Sequence, residues 1–271
     1  MANRYEATFA SLKKSGRKAF IPYTMLGFPD IETSFQSIKT MVEHGAAALE
    51  LGLAFSDPLA DGPVIQQAAA ETIESGFKTK DAFEIIARVR ALDKEIPITL
   101  MCYYNSVLAP GHEKFCQRAS EAGVDGLLIV DLPPEQSAGL SDICRSNKLV
   151  QIFIISPLTS TDRMSTISKQ AGGFLYAVSR LGTTGVEARY DEHLADLIKR
   201  AGAQVRVPVV VGFGVSTPEQ ALQMYEIGAD GVITGSRIIE LIRDEKSGKE
   251  KPGALAEYIS RMSESDQKVR A

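Results

Sequence analysis

Three acids sit close together in the segment ALELGLAFSDPLADGP, residues 48–63: Glu50, Asp57 and Asp61. Glu50 lies inside an apolar run that reads as a buried strand. Side chains alternate along a strand, so Leu49, Leu51, Leu53 and Phe55 form one face and Ala48, Glu50, Gly52 and Ala54 the other. With the bulky set turned outward, Glu50 points inward among small neighbours, and a ligand fits beside it. A carboxyl buried in this way holds its proton to higher pH, the property required of a general acid–base catalyst near neutrality. The plain alternative is a structural ion pair with a cation from another strand. The strand candidates 98–105, 126–133, 149–157, 207–214 and 229–236 contain no lysine or arginine, and Arg180 lies too far along the sixth. Asp57 and Asp61 follow the strand in SDPLADGP. Both suit the rim of a site, and both suit turn chemistry, since Asp-Pro and Asp-Gly are common turn pairs.

Three further segments look built for an anion. GFGVSTPEQA (212–221) leaves a strand through glycines and enters a helix, with Thr217 as N-cap, Pro218 at the first helical position and Gln220 closing a capping box. GSRIIELI (235–242) places Gly235 and Ser236 at a helix start, and RLGTTG (180–185) adds glycines and hydroxyls. Glycines let a phosphate approach the backbone, and helix N-termini offer free N–H groups. Tight turns without a ligand would use the same residues.

These residues need a scaffold, and a repeat supplies it. EHGAAALELG (43–52), EAGVDGLLIV (121–130) and EIGADGVITG (226–235) share one form, with QAGGFLYAV (170–178) a looser copy. Each reads as a helix end, a glycine at the C-cap and a continuously apolar strand buried on both faces. The strand candidates are 19–27, 48–55, 98–105, 126–133, 149–157, 174–182, 207–214 and 229–236, with helical patterns between them. This alternation predicts an α/β fold, a closed (β/α)8 TIM barrel formed as a single domain over residues 1–271. An open doubly wound sheet would carry a G-x-G-x-x-G turn after its first strand, which is missing. Pro22 is a blemish in the first strand because it removes a ladder donor. Tyr5, Phe9 and Leu12 recur at helical spacing and predict an additional N-terminal helix. RDEKSGKEKPG reads as a charged loop, and ALAEYISRM as the last helix before a polar tail.

Composition narrows the function. A formal charge of −4 gives no pull toward nucleic acid or an acidic membrane. No apolar run approaches the roughly 20 residues that span a bilayer, and the N-terminal stretch lacks the apolar segment of a signal peptide. Cys102, Cys116 and Cys144 show neither metal spacing nor a disulfide framework, which suits reduced thiols in a cytoplasmic protein. His44, His112 and His193 do not cluster, so no metal site is expected.

Taken together, LELGLAFSDPLADGP, VSRLGTTG, GFGVSTPEQ and GSRI closely resemble the tryptophan synthase alpha chain family, in order and over nearly the whole chain. The resemblance implies a barrel that cleaves indole-3-glycerol phosphate to indole and glyceraldehyde 3-phosphate. It makes Glu50 the acid–base catalyst and sets Asp61 against the indole N–H. Tyr176 lies at the substrate. Leu100 and Phe213 line the indole pocket, and Tyr23 stands where the family often has phenylalanine. Thr184 belongs to a mobile loop that can meet Asp61, and Gly185, Gly214, Gly235 and Ser236 hold the phosphate. It implies no cofactor in this chain, and a pyridoxal phosphate β subunit as partner in an αββα complex, with Asp57 and the loop 56–61 at that contact. Ala54 departs from the proline common at its position.

The residues suit that chemistry. No lysine ends a strand candidate to form a Schiff base, so the electron sink is the substrate ring, protonated at C3. Other functions remain open at this level: a stand-alone indole-3-glycerol phosphate lyase, another phosphate-binding barrel such as a sugar-phosphate isomerase or epimerase, or a subunit that mainly activates a partner.

Overall fold

The computed structural model describes residues 3–178, 192–212 and 214–266. Thr184, Gly185 and Phe213 lie outside the described residues. Among those described, eight strands form a closed parallel barrel in sequence order: β1 Ala19–Met25, β2 Leu49–Gly52, β3 Ile98–Cys102, β4 Gly126–Ile129, β5 Val150–Ile155, β6 Ala171–Val178, β7 Val209–Gly212 and β8 Gly231–Thr234. Closure comes from β8 pairing back on β1, Ala19 opposite Gly231 and Pro22 opposite Thr234. Helices follow the strands, and the expected TIM barrel is the fold. Pro22 sits within β1 without breaking it.

The repeated glycines behave as expected at three junctions. Gly45, Gly123 and Gly228 have φ of 101°, 102° and 102°, the left-handed conformation in which a helix ends and turns into the next strand. The fourth copy differs. Gly172 and Gly173 lie inside β6, which begins at Ala171 rather than 174. A Cβ on Gly172 would press on Val150, 2.6 Å from its Cβ, beside the register shift between Gln151 and Phe153. Close approach between β5 and β6, not helix capping, explains that pair of glycines.

Most strands are shorter than expected at their C-terminal ends. β2 stops at Gly52, but Leu53 stays buried, and the Phe55 ring stacks on Tyr103 with centroids 4.8 Å apart. Apolar character continues because the loop itself packs down. The charged segment expected as a loop is partly helical. Helix Ser236–Ser247 runs through RDEKS and ends at Gly248 in the left-handed region.

The N-terminal helix Arg4–Lys14 closes the bottom of the barrel. Tyr5 is wholly buried, stands edge-on to Phe174, and its hydroxyl lies 2.6 Å from Thr99 Oγ1. Such a buried hydrogen bond contributes about 1 kcal/mol net. Nearby, Asp125 binds Arg4 at 2.6 Å and Arg90 at 2.7 Å and accepts the Ile98 N–H at 2.9 Å. These cations pair at the strand starts, away from the acids of the opposite end. The stability face and the chemical face are therefore separate, as in other barrels of this kind.

Candidate active site

Register decides which side chains enter the barrel. Glu50 pairs with Tyr23 on β1 and Thr99 on β3, Leu51 with Leu100, and Gly52 with Met101. Paired residues share a face. Glu50, Thr99 and Met101 therefore point to the barrel axis, and Leu51 and Leu100 point to the helices. Leu100, expected in the pocket, is fully buried on the outer face, and Met101 stands in its place. The strand's alternation is the reason: a shift by one residue reverses the side.

A cavity of about 180 Å³ opens at the C-terminal end of the barrel. Tyr23, Glu50, Asp61 and Tyr176 line its inner part, with Ile65, Met101 and Ile233 as apolar walls. Gly214, Gly235 and Ser236 also line it, with Gly235 beside Tyr23 and Ile65, joined by Val215, Ser216 and Arg237. Asp57 is not in the cavity. It is exposed in the loop, where its Oδ2 accepts a hydrogen bond from Ser56 Oγ at 2.6 Å.

Two glycines make room for the aromatic walls. A Cβ on Gly52 would collide with the Tyr23 hydroxyl, and one on Gly212 with the Tyr176 hydroxyl. Burial raises both phenols well above their ordinary range, reinforced by the two carboxyls. They stay neutral and act as shape and as hydrogen-bonding surface.

Glu50 is only 1% exposed, and its Oε1 has no hydrogen-bond partner among the described residues. Burial, followed by the neighbouring charge of Asp61, pushes its carboxyl up to about 8. Among the described residues, no cation offsets either effect. Leaving a buried polar atom unpartnered is costly, and a ligand presented to the cavity would satisfy it.

Asp61 is 5% exposed and lies just ahead of Gly62, the N-cap of helix Pro63–Glu74. Burial raises its carboxyl to about 6, opposed by a hydrogen bond that Tyr103 donates to Oδ2 at 3.0 Å. The Tyr103 hydroxyl in turn accepts the Ala60 N–H at 3.0 Å. Gln66 Nε2 ties the loop further, bonding the Asp61 carbonyl at 2.8 Å. Sequence reasoning gave Tyr103 no role, although two tyrosines at the end of the third strand, in MCYYNSV, marked polar groups at the chemical face. It also passed over Arg237, which GSRI contained.

Of the three anion segments, RLGTTG (180–185) lies outside the described residues, and the other two differ in what they leave free. The capping box at helix Pro218–Glu226 forms as expected, but Gln220 Oε1 occupies the Ser216 and Thr217 N–H groups, at 2.8 and 3.1 Å. That helix start satisfies itself, and among the described residues of the segment Gly214, Val215 and Ser216 line the cavity. At helix Ser236–Ser247, the first bonds run from Ile238 and Ile239 to the Gly235 carbonyl. The preceding N–H groups of the first turn, on Ser236 and Arg237, have no carbonyl partner within the helix, and both residues line the cavity.

Beyond geometry, the chain matches the family model for the tryptophan synthase alpha chain over residues 9–268. The chain belongs to the tryptophan synthase alpha chain family. It is 42% identical over 251 residues to the tryptophan synthase alpha chain of Francisella tularensis subsp. tularensis (strain WY96-3418), covering 93% of each. Its fold is similar to that of the tryptophan synthase alpha subunit from Legionella pneumophila str. Paris, with a TM-score of 0.88 and 36% identity over 99% of this chain and 100% of that one. A second similar structure is from the tryptophan synthase a2b2 complex of Pyrococcus furiosus, with a TM-score of 0.80 and 33% identity over 92% of this chain and 98% of that chain. Members of the tryptophan synthase alpha chain family are lyases that cleave indole-3-glycerol phosphate.

Among the described residues, no helix is long and apolar enough to cross a membrane, and no group of three or more His, Cys, Asp or Glu could hold a metal ion. The three cysteines are buried and unbridged.

Proposed function

We propose that this chain cleaves indole-3-glycerol phosphate to indole and glyceraldehyde 3-phosphate, with Glu50 as acid–base catalyst and Asp61 as partner of the ring nitrogen. The observation that carries the reading is the pairing of two buried acids, held to different proton affinities, in one cavity that glycines and a helix start also line. Glu50 is protonated at neutral pH and gives its proton to indole C3. The ring becomes an iminium, whose positive nitrogen the ionised Asp61 stabilises. Glu50, now a carboxylate, takes the proton of the C3′ hydroxyl. The C3–C3′ bond breaks, its electrons return to the ring, and an aldehyde forms. Protons and electrons balance without another reactant, and acid–base assistance of this kind is worth about 10²–10⁴-fold per positioned group.

Met101, Ile65, Ile233, Tyr23 and Tyr176 suit a flat aromatic ring. Gly214, Gly235 and Ser236 suit the phosphate, and Arg237 is the only cation among the described residues lining the cavity. For Phe213, Thr184 and Gly185, which lie outside the described residues, the family resemblance implies roles at the indole ring, at Asp61 and at the phosphate. In this family the alpha subunit carries no cofactor, and pyridoxal phosphate resides in the β subunit.

The partner is a tryptophan synthase β subunit, in an αββα complex. Leu59 and Leu158 are 87% and 76% exposed, and Leu108 is also exposed. All three come after strand C-terminal ends, at the chemical end of the barrel, and Leu59 is two residues from exposed Asp57. Apolar side chains presented together around a site mark an interaction surface. The setting is cytoplasmic.

The deciding experiment is indole release from indole-3-glycerol phosphate by the purified chain without added cofactor, repeated after mixing with a β subunit. Release alone separates this reading from a sugar-phosphate isomerase. Co-elution and rate activation by the β subunit separate it from a stand-alone lyase, and a negligible rate without the β subunit marks a mainly activating subunit.

A further inference from the structure

We propose that Tyr103 is the positioning residue for Asp61. Its hydroxyl holds one carboxylate oxygen so that the other is presented to the substrate ring. The proposal rests on the cleavage reading above and deepens it.

The geometry is a short relay. The Tyr103 ring is fixed by stacking on Phe55 at an interplanar angle of 15°. Its hydroxyl is fixed in turn by the Ala60 N–H, which uses its acceptor side and leaves its proton for Asp61. Phe55, Ala60 and Asp61 all belong to the segment that follows β2, whereas Tyr103 follows β3. The contact therefore anchors a loop to a neighbouring strand at the point where the acid must not drift. A carboxylate on a loop has free rotation about its side-chain torsions, and misplacement by about 1 Å can cost on the order of a hundredfold in rate.

The same hydrogen bond favours the charged form of Asp61. Among the described residues, the titratable or charged groups that face the cavity with Asp61 are Tyr23 from β1, Glu50 from β2, Tyr176 from β6 and Arg237 from helix Ser236–Ser247, with Tyr103 bound directly. Of these, Tyr103 is the group hydrogen-bonded to the Asp61 carboxylate. It keeps Asp61 ionised while Glu50 stays protonated, so the two acids take different roles.

Tyr103→Phe tests this, because it keeps the ring and its stack and removes only the hydroxyl. The expected result is a fall in kcat of about ten- to a hundredfold with a much smaller change in KM. The acidic limb of the pH–rate profile moves to higher pH, and carbon NMR of the Asp61 carboxyl shows the same upward movement. A merely structural role predicts an unchanged pH profile. Unchanged kcat and unchanged Asp61 titration in an active enzyme would overturn the proposal alone. If Tyr103→Phe fails to fold, Phe55→Leu, which loosens the stack and leaves the hydroxyl, must lower kcat in the same direction, and an unaltered kcat there overturns it. A wild-type chain that releases no indole would overturn the cleavage reading, and the proposal with it.

Discussion

Tyr23 is the register partner of Glu50, and its hydroxyl fills the space where a side chain at position 52 would begin. The wall beside the acid is thus shaped by a glycine on the acid's own strand. Gly52→Ala forces Tyr23 aside and into the cavity. Overpacking of this kind costs about 1–3 kcal/mol. The expected outcome is a folded protein with a lower Tm and at least tenfold less indole formation, read by a melting curve and a steady-state assay. Wild-type activity would show that the tyrosine yields freely.

Arg237 carries a second prediction. Its contact with Glu240, at 3.4 Å between partly exposed groups, is of the kind worth about 0–1 kcal/mol, so the guanidinium is available to a phosphate. Arg237→Ala is expected to weaken glycerol phosphate binding about tenfold, a loss of about 1.4 kcal/mol, with little change in kcat. Gly235→Asp places bulk against Tyr23, 3.0 Å away, and negative charge at the same end. It should weaken binding further, and calorimetry reads both. Undiminished affinity in Gly235→Asp would move the phosphate elsewhere.

The proton held by Glu50 makes stability depend on pH. Its folded-state pKa, about 8, lies above the ordinary 4.5. Below 4.5 both folded and unfolded chains are protonated and the contribution is fully present. As pH rises toward 8 the unfolded chain ionises first, and that stability is lost. Asp61 adds a smaller loss of the same sign, ending near pH 6. Each tenfold difference in proton affinity is worth about 1.4 kcal/mol. Urea unfolding between pH 5 and pH 9 should therefore show Glu50→Gln gaining on wild type as pH rises, by a few kcal/mol in total. Parallel curves would mean that Glu50 is ionised in the folded protein throughout.

Much of this was legible in the sequence because both signals are local. Alternation around Glu50 placed it inside the barrel, and Gly45, Gly123 and Gly228 marked the αβ junctions. Other features depend on distant packing. Leu100 and Met101 are both apolar neighbours on one strand, and only register distinguishes the inner from the outer. Gly172 resembles a cap glycine, but its position is fixed by Val150 on the neighbouring strand. Tyr103 acquires its role from Asp61, forty-two positions earlier in the chain, a relation no short motif encodes. The capping box at Thr217 was readable, but not that it would occupy the N–H groups also suited to an anion.

The exposed leucines give a prediction about assembly. Leu59→Asp and Leu158→Asp place charge on side chains that touch little in the isolated chain. Each should leave cofactor-free indole release close to wild type while reducing β-subunit activation at least tenfold, measured by titrating one subunit with the other. Full activation in the double variant would put the contact on another face.

The most direct measurement is indole release by Glu50→Gln, together with its affinity for indole-3-glycerol phosphate. Glutamine keeps the shape of the side chain and removes the mobile proton. The expected result is a fall in kcat of about 10²–10⁴-fold or more, with substrate binding within a few-fold of wild type. A variant that retains most of its activity would contradict the role given to Glu50.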